Sequence, residues 1–361
     1  MRVLFQLLDS GIGGGQLVAS RVAGALGERG HGLGLLVPGP GPAADRFAAL
    51  GAELHTVPVD SLRRPGAAIS AARVLRRYDL LYTHTSVPGA ILAGAAARLA
   101  GRPLVVHQHA APYFSSRPPV AAAQRLLLRR ALASATVVVV AEHIGAALAA
   151  AGVGSSRVSV LANGVPLPDL PVRPPDPGAA LVIGTLARLD PGKNVHVFVE
   201  AARRAAALLA PGLRARFVAG VEPGPYPEYE AEVRAAAAAA GVELVSPGGD
   251  GLAFLRGLDV VVLPTAAEGS PLTLLEAMGL GRAVIASDIP GIREVVEHGV
   301  SGLLAPPGDA GALAAAIASL GADPVRRAVL GAAARALVEE RYRLDAMLER
   351  ACTILEDAAR G

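Results

Sequence analysis

Two glutamates in the segment PTAAEGSPLTLLEAMG, Glu268 and Glu276, are spaced for different chemical tasks. An apolar run that predicts a strand ends just before this segment. Ser270 is a good N-cap and Pro271 suits the first helical position, so we predict a helix that ends at Gly279. Glu268 then lies in the loop before the helix, and Glu276 lies in its second turn.

The start of this helix is predicted to bind a phosphate group. Backbone N–H groups over residues 269–273 have no partner inside the helix, and the helix dipole adds positive charge there. Glu276 would repel a phosphate, but its carboxylate suits the two hydroxyls of a ribose. The competing interpretation is a capped helix with two solvated glutamates.

A second segment, GTLARLDPGKN, places Arg188 and Lys193 on either side of a tight Asp-Pro-Gly turn. A guanidinium and an ammonium at this spacing suit a pyrophosphate leaving group, on which negative charge develops during transfer. The alternative is an ordinary surface turn with two basic residues.

The glycine-rich stretch SGIGGGQLVAS follows the first predicted strand and resembles a dinucleotide-binding loop at first sight. The third glycine of that fingerprint is replaced by Gln16 in one register and by Val18 in the other, and no acid follows the second strand. Hydride transfer with a nicotinamide cofactor is therefore excluded. Gly13, Gly14 and Gly15 are expected to let the backbone approach a bound donor.

Three histidines follow or end predicted strands, and two of them suggest a metal site. His107 and His109 are two residues apart, so they face the same way on a strand, and His84 is the one plausible third ligand. We expect no metal here. His109 is interpreted as a polar contact and His107 as a structural residue.

Strand-like apolar runs alternate with helix-period segments along the whole chain, which predicts βαβ units and parallel sheets, the α/β class. The predicted strands are Val3–Leu8, Gly34–Val37, Leu80–Thr83, Leu104–His107, Thr136–Val140, Val158–Leu161, Leu181–Leu186, Ala215–Ala219, Val242–Val245, Val260–Leu263 and Ala283–Ala286. A proline-rich run at Gly164–Gly178 separates two such series and predicts a linker. Two doubly wound domains would hold a ligand between them, at the carboxyl ends of the strands.

Composition describes a globular chain of two domains. It has 361 residues, of which 52% are hydrophobic and 18% charged. Uncharged runs such as Ala131–Ala141 fall short of the ~20 residues that a membrane-spanning helix needs. No signal peptide is predicted before Val3, and the single Cys352 fits a reducing cytoplasm.

Charge is unevenly distributed between the two halves. The first 161 residues carry 16 Arg and 7 acidic residues, whereas the remainder carries 18 basic and 24 acidic residues. A cationic first half suits an anionic acceptor or an anionic membrane surface, and we expect no nucleic-acid partner. Two basic helical stretches, LRRPGAAISAARVLRRYD and AAAQRLLLRRALASA, are candidates for peripheral membrane contact, although helices buried with arginine rims are the favoured interpretation.

These motifs together resemble glycosyltransferase family 4. The two glutamates match its E-x7-E motif, and the following run EAMGLGRAVIASDIPGIREVVEHGVSGLLAPPGD matches its surroundings. ARLDPGKN resembles the family's basic turn, IGGGQLVASRVAGALGERGH its glycine loop, and VVHQHAAP the end of its histidine strand. The resemblance extends over nearly the whole chain.

The resemblance implies a GT-B fold, in which two Rossmann-like, doubly wound domains face each other across a cleft. Residues 1–166 would form the acceptor-binding domain, and a C-terminal helix over about 342–361 would pack back on it. Residues 167–341 would form the domain that binds the nucleotide-sugar.

The resemblance also implies a role for each site residue. Arg188 and Lys193 would stabilise the diphosphate, Glu276 would hold the ribose, Glu268 the donor sugar, and His109 would lie near the reacting sugar. The distal phosphate would be held at Gly269, Ser270, Pro271 and Leu272, where Pro271 has no N–H to offer.

The implied activity is transfer of a sugar from a nucleotide-sugar to a hydroxyl acceptor (a glycan, a glycolipid or a small-molecule glycoside), with retention of configuration and without a metal or other cofactor. We expect a same-face displacement, with a double displacement through Glu268 as the alternative. Other candidate functions are a nucleotide-sugar epimerase and a non-catalytic homologue that acts as a binding partner. The expected location is the cytoplasm, with peripheral contact to the inner face of the membrane.

Overall fold

A computed structural model of the chain describes residues 1–11, 13–59, 66–154, 158–168 and 180–361. The described chain forms two compact units. One unit contains Met1–Asn163 together with Asp345–Gly361, and the other contains Gly164–Leu344. Most of the predicted proline-rich linker, residues 169–178, lies outside the described residues. None of the described helices has the length and apolar character that crossing a membrane requires.

The first unit is built on a parallel sheet of seven described strands in the order β3-β2-β1-β4-β5-β6-β7. These strands are β1 Arg2–Leu7, β2 Gly32–Val37, β3 Glu53–Thr56, β4 Leu80–His84, β5 Leu104–Gln108, β6 Thr136–Val139 and β7 Val158–Val160. Its helices are α1 Gly14–Glu28, α2 Pro42–Ala49, α3 Gly66–Leu75, α4 Val87–Ala100, α5 Pro118–Leu132, α6 Glu142–Ala150 and, from Asp345 onward, α14 Leu344–Arg360.

The second unit repeats this plan with six described strands in the order β10-β9-β8-β11-β12-β13. These strands are β8 Leu181–Arg188, β9 Ala215–Glu222, β10 Glu243–Val245, β11 Val260–Leu263, β12 Ala283–Ser287 and β13 Leu303–Ala305. Its helices are α7 Val195–Leu208, α8 Pro227–Ala240, α9 Gly251–Arg256, α10 Leu272–Gly279, α11 Pro290–Arg293, α12 Ala310–Ala322 and α13 Pro324–Arg341. Two parallel sheets with alternating helices confirm the predicted α/β class.

Apolar side chains explain why these segments form buried strands. Four inner strands, β4, β5, β11 and β12, are buried along their whole length, as expected for parallel strands covered by helices on both faces. Each unit has its own core of Val, Leu, Ile and Ala. In β3, by contrast, the residues alternate between exposed and partly buried, and the sequence analysis did not identify this edge strand.

Strand order places one switch point in each sheet. In the first sheet β1 pairs with both β2 and β4, and in the second β8 pairs with both β9 and β11. Chain connections run to opposite sides at such a point, which leaves room for a ligand at the carboxyl ends of the strands. In the second unit the residues that follow β8 and β11 therefore border the place where a ligand is expected.

Candidate active site

The first loop of the second unit begins where β8 ends, at Arg188. Asp190 caps the short 3-10 turn that follows by accepting a hydrogen bond from the Gly192 N–H at 2.9 Å. A guanidinium nitrogen of Arg188 lies 3.4 Å from the Asp190 carboxylate, and the Arg188 side chain is 46% exposed. Arg188 is therefore available to an anion that arrives from solvent.

Hydrogen bonds join this loop to the loop that follows β11. The Gly192 carbonyl accepts from the Ala266 N–H at 2.9 Å and from the Thr265 hydroxyl at 3.1 Å. The Asn194 side chain, held by a left-handed backbone at φ 52°, donates to the Pro264 carbonyl at 3.0 Å. The loops that carry the two predicted motifs thus lie side by side.

Lys193 and Glu268 make direct contact within this site. Lys193 Nζ donates to Glu268 Oε1 at 2.6 Å, and the two side chains are 33% and 13% exposed. Because the pair is only partly screened by solvent, the carboxylate balances the charge of the ammonium. The sequence analysis gave these residues separate roles and did not foresee that they would pair.

Helix α10 begins at Leu272, one residue later than predicted. Its N-cap is Pro271, with φ −75° and ψ 106°, so the predicted N-cap at Ser270 is wrong by one position. The extended ψ keeps Pro271 outside the helix, although its carbonyl accepts the first helical hydrogen bond from the Leu275 N–H at 3.0 Å. Glu276 remains in the second turn, half-buried, as the spacing predicted.

Gly291, in the short helix α11, supports the loop that carries Glu268. A Cβ at this glycine would lie 2.1 Å from the Glu268 carbonyl oxygen and 2.6 Å from that of Gly269. The loop backbone therefore rests directly on α11. The sequence analysis missed this role. No local pattern marks it, because a glycine directly after Pro290 reads as an ordinary turn signal.

In the first unit, the glycine loop leads into α1 and packs against a histidine. The helix begins at Gly14 with Gly13 as its N-cap and no side-chain cap. A Cβ on Gly15 would lie 3.3 Å from Cδ2 of the His109 ring. Because Gly15 has no side chain, the His109 ring can pack against this loop. The predicted contact of the loop with a donor stays a prediction.

Asp9 holds the glycine loop from the other side. Its carboxylate accepts from the Gly11 N–H at 2.9 Å and from the Gln16 amide at 2.9 and 3.0 Å. Gln16, which breaks the dinucleotide fingerprint, thus has a structural task of its own. Neither contact was predicted from the sequence.

The three histidines meet at the carboxyl ends of β4 and β5. His84 and His107 are opposite each other in the strand register, and His109 follows just after β5 ends. His84 Nδ1 lies 2.8 Å from His109 Nε2, and the Tyr82 hydroxyl lies 2.7 Å from His107 Nδ1. We call His84, His107 and His109 the histidine cluster.

Burial keeps the histidine cluster uncharged. Desolvation lowers the pKa of His84 and of His107 well below the usual value for histidine, and it lowers the pKa of His109 to about 4. At neutral pH each ring therefore carries one proton, and each has one nitrogen that donates and one that accepts.

The histidine cluster also has the ligand types that a metal ion would need. Ring nitrogens of its three members lie within 4.8 Å of one another, the one such group in the described part of the chain. The hydrogen bond between His84 and His109 already uses one ring nitrogen of each of these two residues.

Comparison with known proteins adds the family to this geometry. The model described as "Glycosyltransferase Family 4" matches residues 12–168, and the model described as "Glycosyl transferases group 1" matches residues 180–323. Together these matches cover most of both units. The chain belongs to glycosyltransferase family 4.

Two bacterial glycosyltransferases are similar in sequence to part of this chain. The amylovoran biosynthesis glycosyltransferase AmsK of Erwinia amylovora is 41% identical over 112 residues, which is 29% of this chain and 28% of AmsK. A D-inositol 3-phosphate glycosyltransferase of Kribbella flavida is 34% identical over 167 residues, or 43% of this chain and 38% of that protein. These matches span well under half of each relative's length.

A solved structure of the same GT-B fold covers nearly the whole chain. Anabaena HepE, crystallised in complex with UDP-glucose, superposes with a TM-score of 0.82 at 20% identity and covers 99% of this chain and 100% of its own. At this level of identity the likeness concerns the fold alone. It confirms the GT-B architecture implied by the family 4 motifs.

The predicted site residues of this family 4 chain fall into two groups, one in each unit. The loops and helix start of the second unit hold Arg188, Lys193, Glu268, Gly269, Ser270, Pro271, Leu272 and Glu276. In the first unit Gly15 contacts His109, and Gly13 and Gly14 begin the same helix.

Proposed function

We propose that this chain is a glycosyltransferase that moves a sugar, with retention of configuration, from a nucleoside-diphosphate sugar to a hydroxyl acceptor. The observation that carries the proposal is the joining of two loops in the second unit, where Lys193 and Glu268 meet beside the start of α10. The crystal structure of HepE with UDP-glucose, a protein of the same fold, supports the donor class.

The donor diphosphate is assigned to the cationic part of this site. Arg188 is half-exposed, and Lys193 has a carboxylate partner that a phosphate can replace. The first N–H groups of α10 lie in the same loop region and add a favourable dipole. Glu276, one turn further along α10, suits the two hydroxyls of the ribose.

Donor binding would also release Glu268 for its own task. In the described structure Glu268 neutralises Lys193 at 2.6 Å. Once the diphosphate takes Lys193, the Glu268 carboxylate can accept hydrogen bonds from the donor sugar. The salt bridge therefore holds both side chains in place before the donor arrives.

The reaction we propose is a same-face displacement. The bond between the anomeric carbon and the β-phosphate oxygen breaks, and the acceptor oxygen bonds to the same face of that carbon. The acceptor's proton passes to the departing β-phosphate oxygen, while Arg188 and Lys193 stabilise its negative charge. His109 is assigned a polar contact to the sugar. Because two cations supply this charge, we propose that neither a metal nor another cofactor takes part.

A panel of nucleoside-diphosphate sugars and the corresponding nucleoside diphosphates tests the donor class. A true donor raises the unfolding temperature because it binds the folded chain alone. We then expect transfer to hydroxyl acceptors, with the anomeric configuration of the product determined by NMR. Stabilisation by no member of the panel, or conversion of a donor to its epimer without an acceptor, would overturn the proposal.

Peripheral contact with an anionic membrane is proposed for α5. This helix exposes Leu126 and Leu127 beside the exposed Arg125, Arg129 and Arg130, which together suit a lipid surface. We place the enzyme in the cytoplasm. Cosedimentation with anionic vesicles that is lost in high salt, and lost in Leu126→Ser/Leu127→Ser, would support the contact. Equal recovery with neutral vesicles would contradict it.

A further inference from the structure

The hydrogen bond between His84 and His109 determines which nitrogen His109 can offer to a ligand. His109 Nε2 lies 2.8 Å from His84 Nδ1, so Nδ1 is the one ring nitrogen of His109 that remains for any other partner. The two rings are nearly coplanar, at 19° with centroids 5.0 Å apart, as expected for an in-plane hydrogen bond. Its direction decides whether Nδ1 carries a proton.

The other ring nitrogen of His84, Nε2, indicates which residue donates in this hydrogen bond. It is buried and has no hydrogen-bond partner among the described residues. If His84 accepted at Nδ1, its single proton would sit on Nε2 as a buried donor without an acceptor. Buried N–H groups without partners are rarer than buried acceptors without partners. His84 therefore donates from Nδ1, and its Nε2 is left as a bare acceptor.

We propose that His84 is a positioning residue that holds His109 in the tautomer with its proton on Nδ1, so that His109 presents a hydrogen-bond donor to its ligand. His109 then serves as a neutral donor to an oxygen of the donor sugar or its phosphate, and it does not act as a base. This assignment of a ligand rests on the proposed glycosyltransferase function.

Packing around His109 reinforces this arrangement. Gly15 bounds one face of the ring at 3.3 Å, and His107 lies at a centroid distance of 4.4 Å. With His84 holding Nε2 as well, the His109 ring has little freedom to flip. A flip would put Cε1 in the place of Nε2 and break the hydrogen bond, whose net value is about 1 kcal/mol, in addition to these contacts.

The direct test is the tautomer of His109 in the full-length, ¹⁵N-labelled chain. Long-range ¹H–¹⁵N correlation spectra distinguish protonated from bare ring nitrogens of a neutral imidazole, and His84→Asn and His109→Asn variants assign the signals. We expect the proton of wild-type His109 on Nδ1. A proton on Nε2 would overturn the proposal, as would a shift of the cluster's signals on addition of Zn²⁺, which would indicate a metal site instead.

Three substitutions separate positioning from simple packing. His84→Ala removes the donor, so the fixed tautomer of His109 becomes a mixture. His84→Asn places an amide NH₂ where Nδ1 stood and should preserve the Nδ1–H tautomer of His109. His107→Asn alters a buried neighbour whose Nδ1 bonds to the Tyr82 hydroxyl and not to His109, so it should leave the tautomer unchanged. Loss of the Nδ1–H tautomer in His107→Asn but not in His84→Ala would contradict the assignment.

Turnover supplies a second readout. We expect kcat to fall about tenfold in His84→Ala and to recover in His84→Asn, with the affinity for the nucleoside diphosphate unchanged, because one hydrogen bond to the reacting sugar is lost. If the wild-type chain turns over no nucleotide-sugar, the proposed function fails, yet the NMR result still decides the tautomer. Equal kcat in His84→Ala and the wild type would overturn the role of His84.

Discussion

Replacing Gly291 by alanine probes how strictly the Glu268 loop must be positioned. The new Cβ would lie 2.1 Å from the Glu268 carbonyl oxygen, whereas real Cβ atoms essentially never approach closer than 3.0 Å. Because the nearest atoms all belong to the loop backbone, the loop itself has to retreat by about 1 Å. Neither α11 nor the loop can relieve the clash by rotating a side chain.

Two effects of different size follow from this displacement. Overpacking of this kind destabilises a fold by about 1–3 kcal/mol, which urea unfolding measures. A misplacement of about 1 Å at a catalytic group can cost about 100-fold in rate, so we expect Gly291→Ala to lose turnover far more than stability. The assay is turnover of the best donor from the nucleotide-sugar panel, at a temperature where the variant remains folded.

The control for Gly291→Ala is Gly257→Ala in the same unit. There the nearest atom to a new Cβ is the Phe254 carbonyl oxygen at 3.3 Å, and the position lies at the end of α9, outside the site. We expect this variant to keep its turnover. If Gly291→Ala also stays within twofold of the wild type, the loop does not position Glu268 for the reaction and the reasoning is refuted.

Three further predictions concern the first unit and the reaction as a whole. Gly15→Ala places a Cβ 3.3 Å from the His109 ring and should lower turnover, while Gly39→Ala, where no atom lies within 4 Å, should not; equal activities would refute the packing role. Burial lowers the pKa of His84, His107 and His109 in the folded chain, whereas a histidine of the unfolded chain has a pKa of ~6.5. Below pH ~6.5 the unfolded chain therefore binds more protons, and the free energy of unfolding should fall as the pH decreases toward the folded pKa of His109, about 4. Each histidine that stays neutral adds a slope of about 1.4 kcal/mol per pH unit to urea unfolding, and a stability independent of pH between 6.5 and 5 would contradict the buried cluster. Finally, EDTA should leave transfer unchanged, and restoration of a lost activity by a divalent cation would refute metal independence.

Most of the fold could be predicted because its signals are local. Apolar runs such as the one in β11 identify buried strands by composition alone, and the alternation of strands and helices predicts parallel sheets. The edge strand β3 was not predicted, because only every second side chain of its four residues is partly buried. The last strand, β13, has three residues and was not among the predicted strands either.

For the candidate site, the sequence predicted which loops and helix carry the residues but not the contacts between them. Motif spacing predicted which side chains belong to the two loops, including Lys193 and Glu268. The salt bridge between them depends on β8 and β11 being neighbours in the sheet, which no local pattern encodes. Gly291 likewise touches a residue more than twenty positions away, and the His84–His109 bond joins the end of β4 to the residue that follows β5.

Binding of a nucleoside diphosphate tests the central claim most directly. Isothermal titration should show that Arg188→Ala/Lys193→Ala binds at least about 100-fold more weakly than the wild type, because two charge-assisted hydrogen bonds are lost. Arg203→Ala/Arg204→Ala, which removes two exposed cations that pair with Glu200 on α7, should bind normally. Equal affinity and full turnover in Arg188→Ala/Lys193→Ala would contradict the assignment of the donor diphosphate to this site.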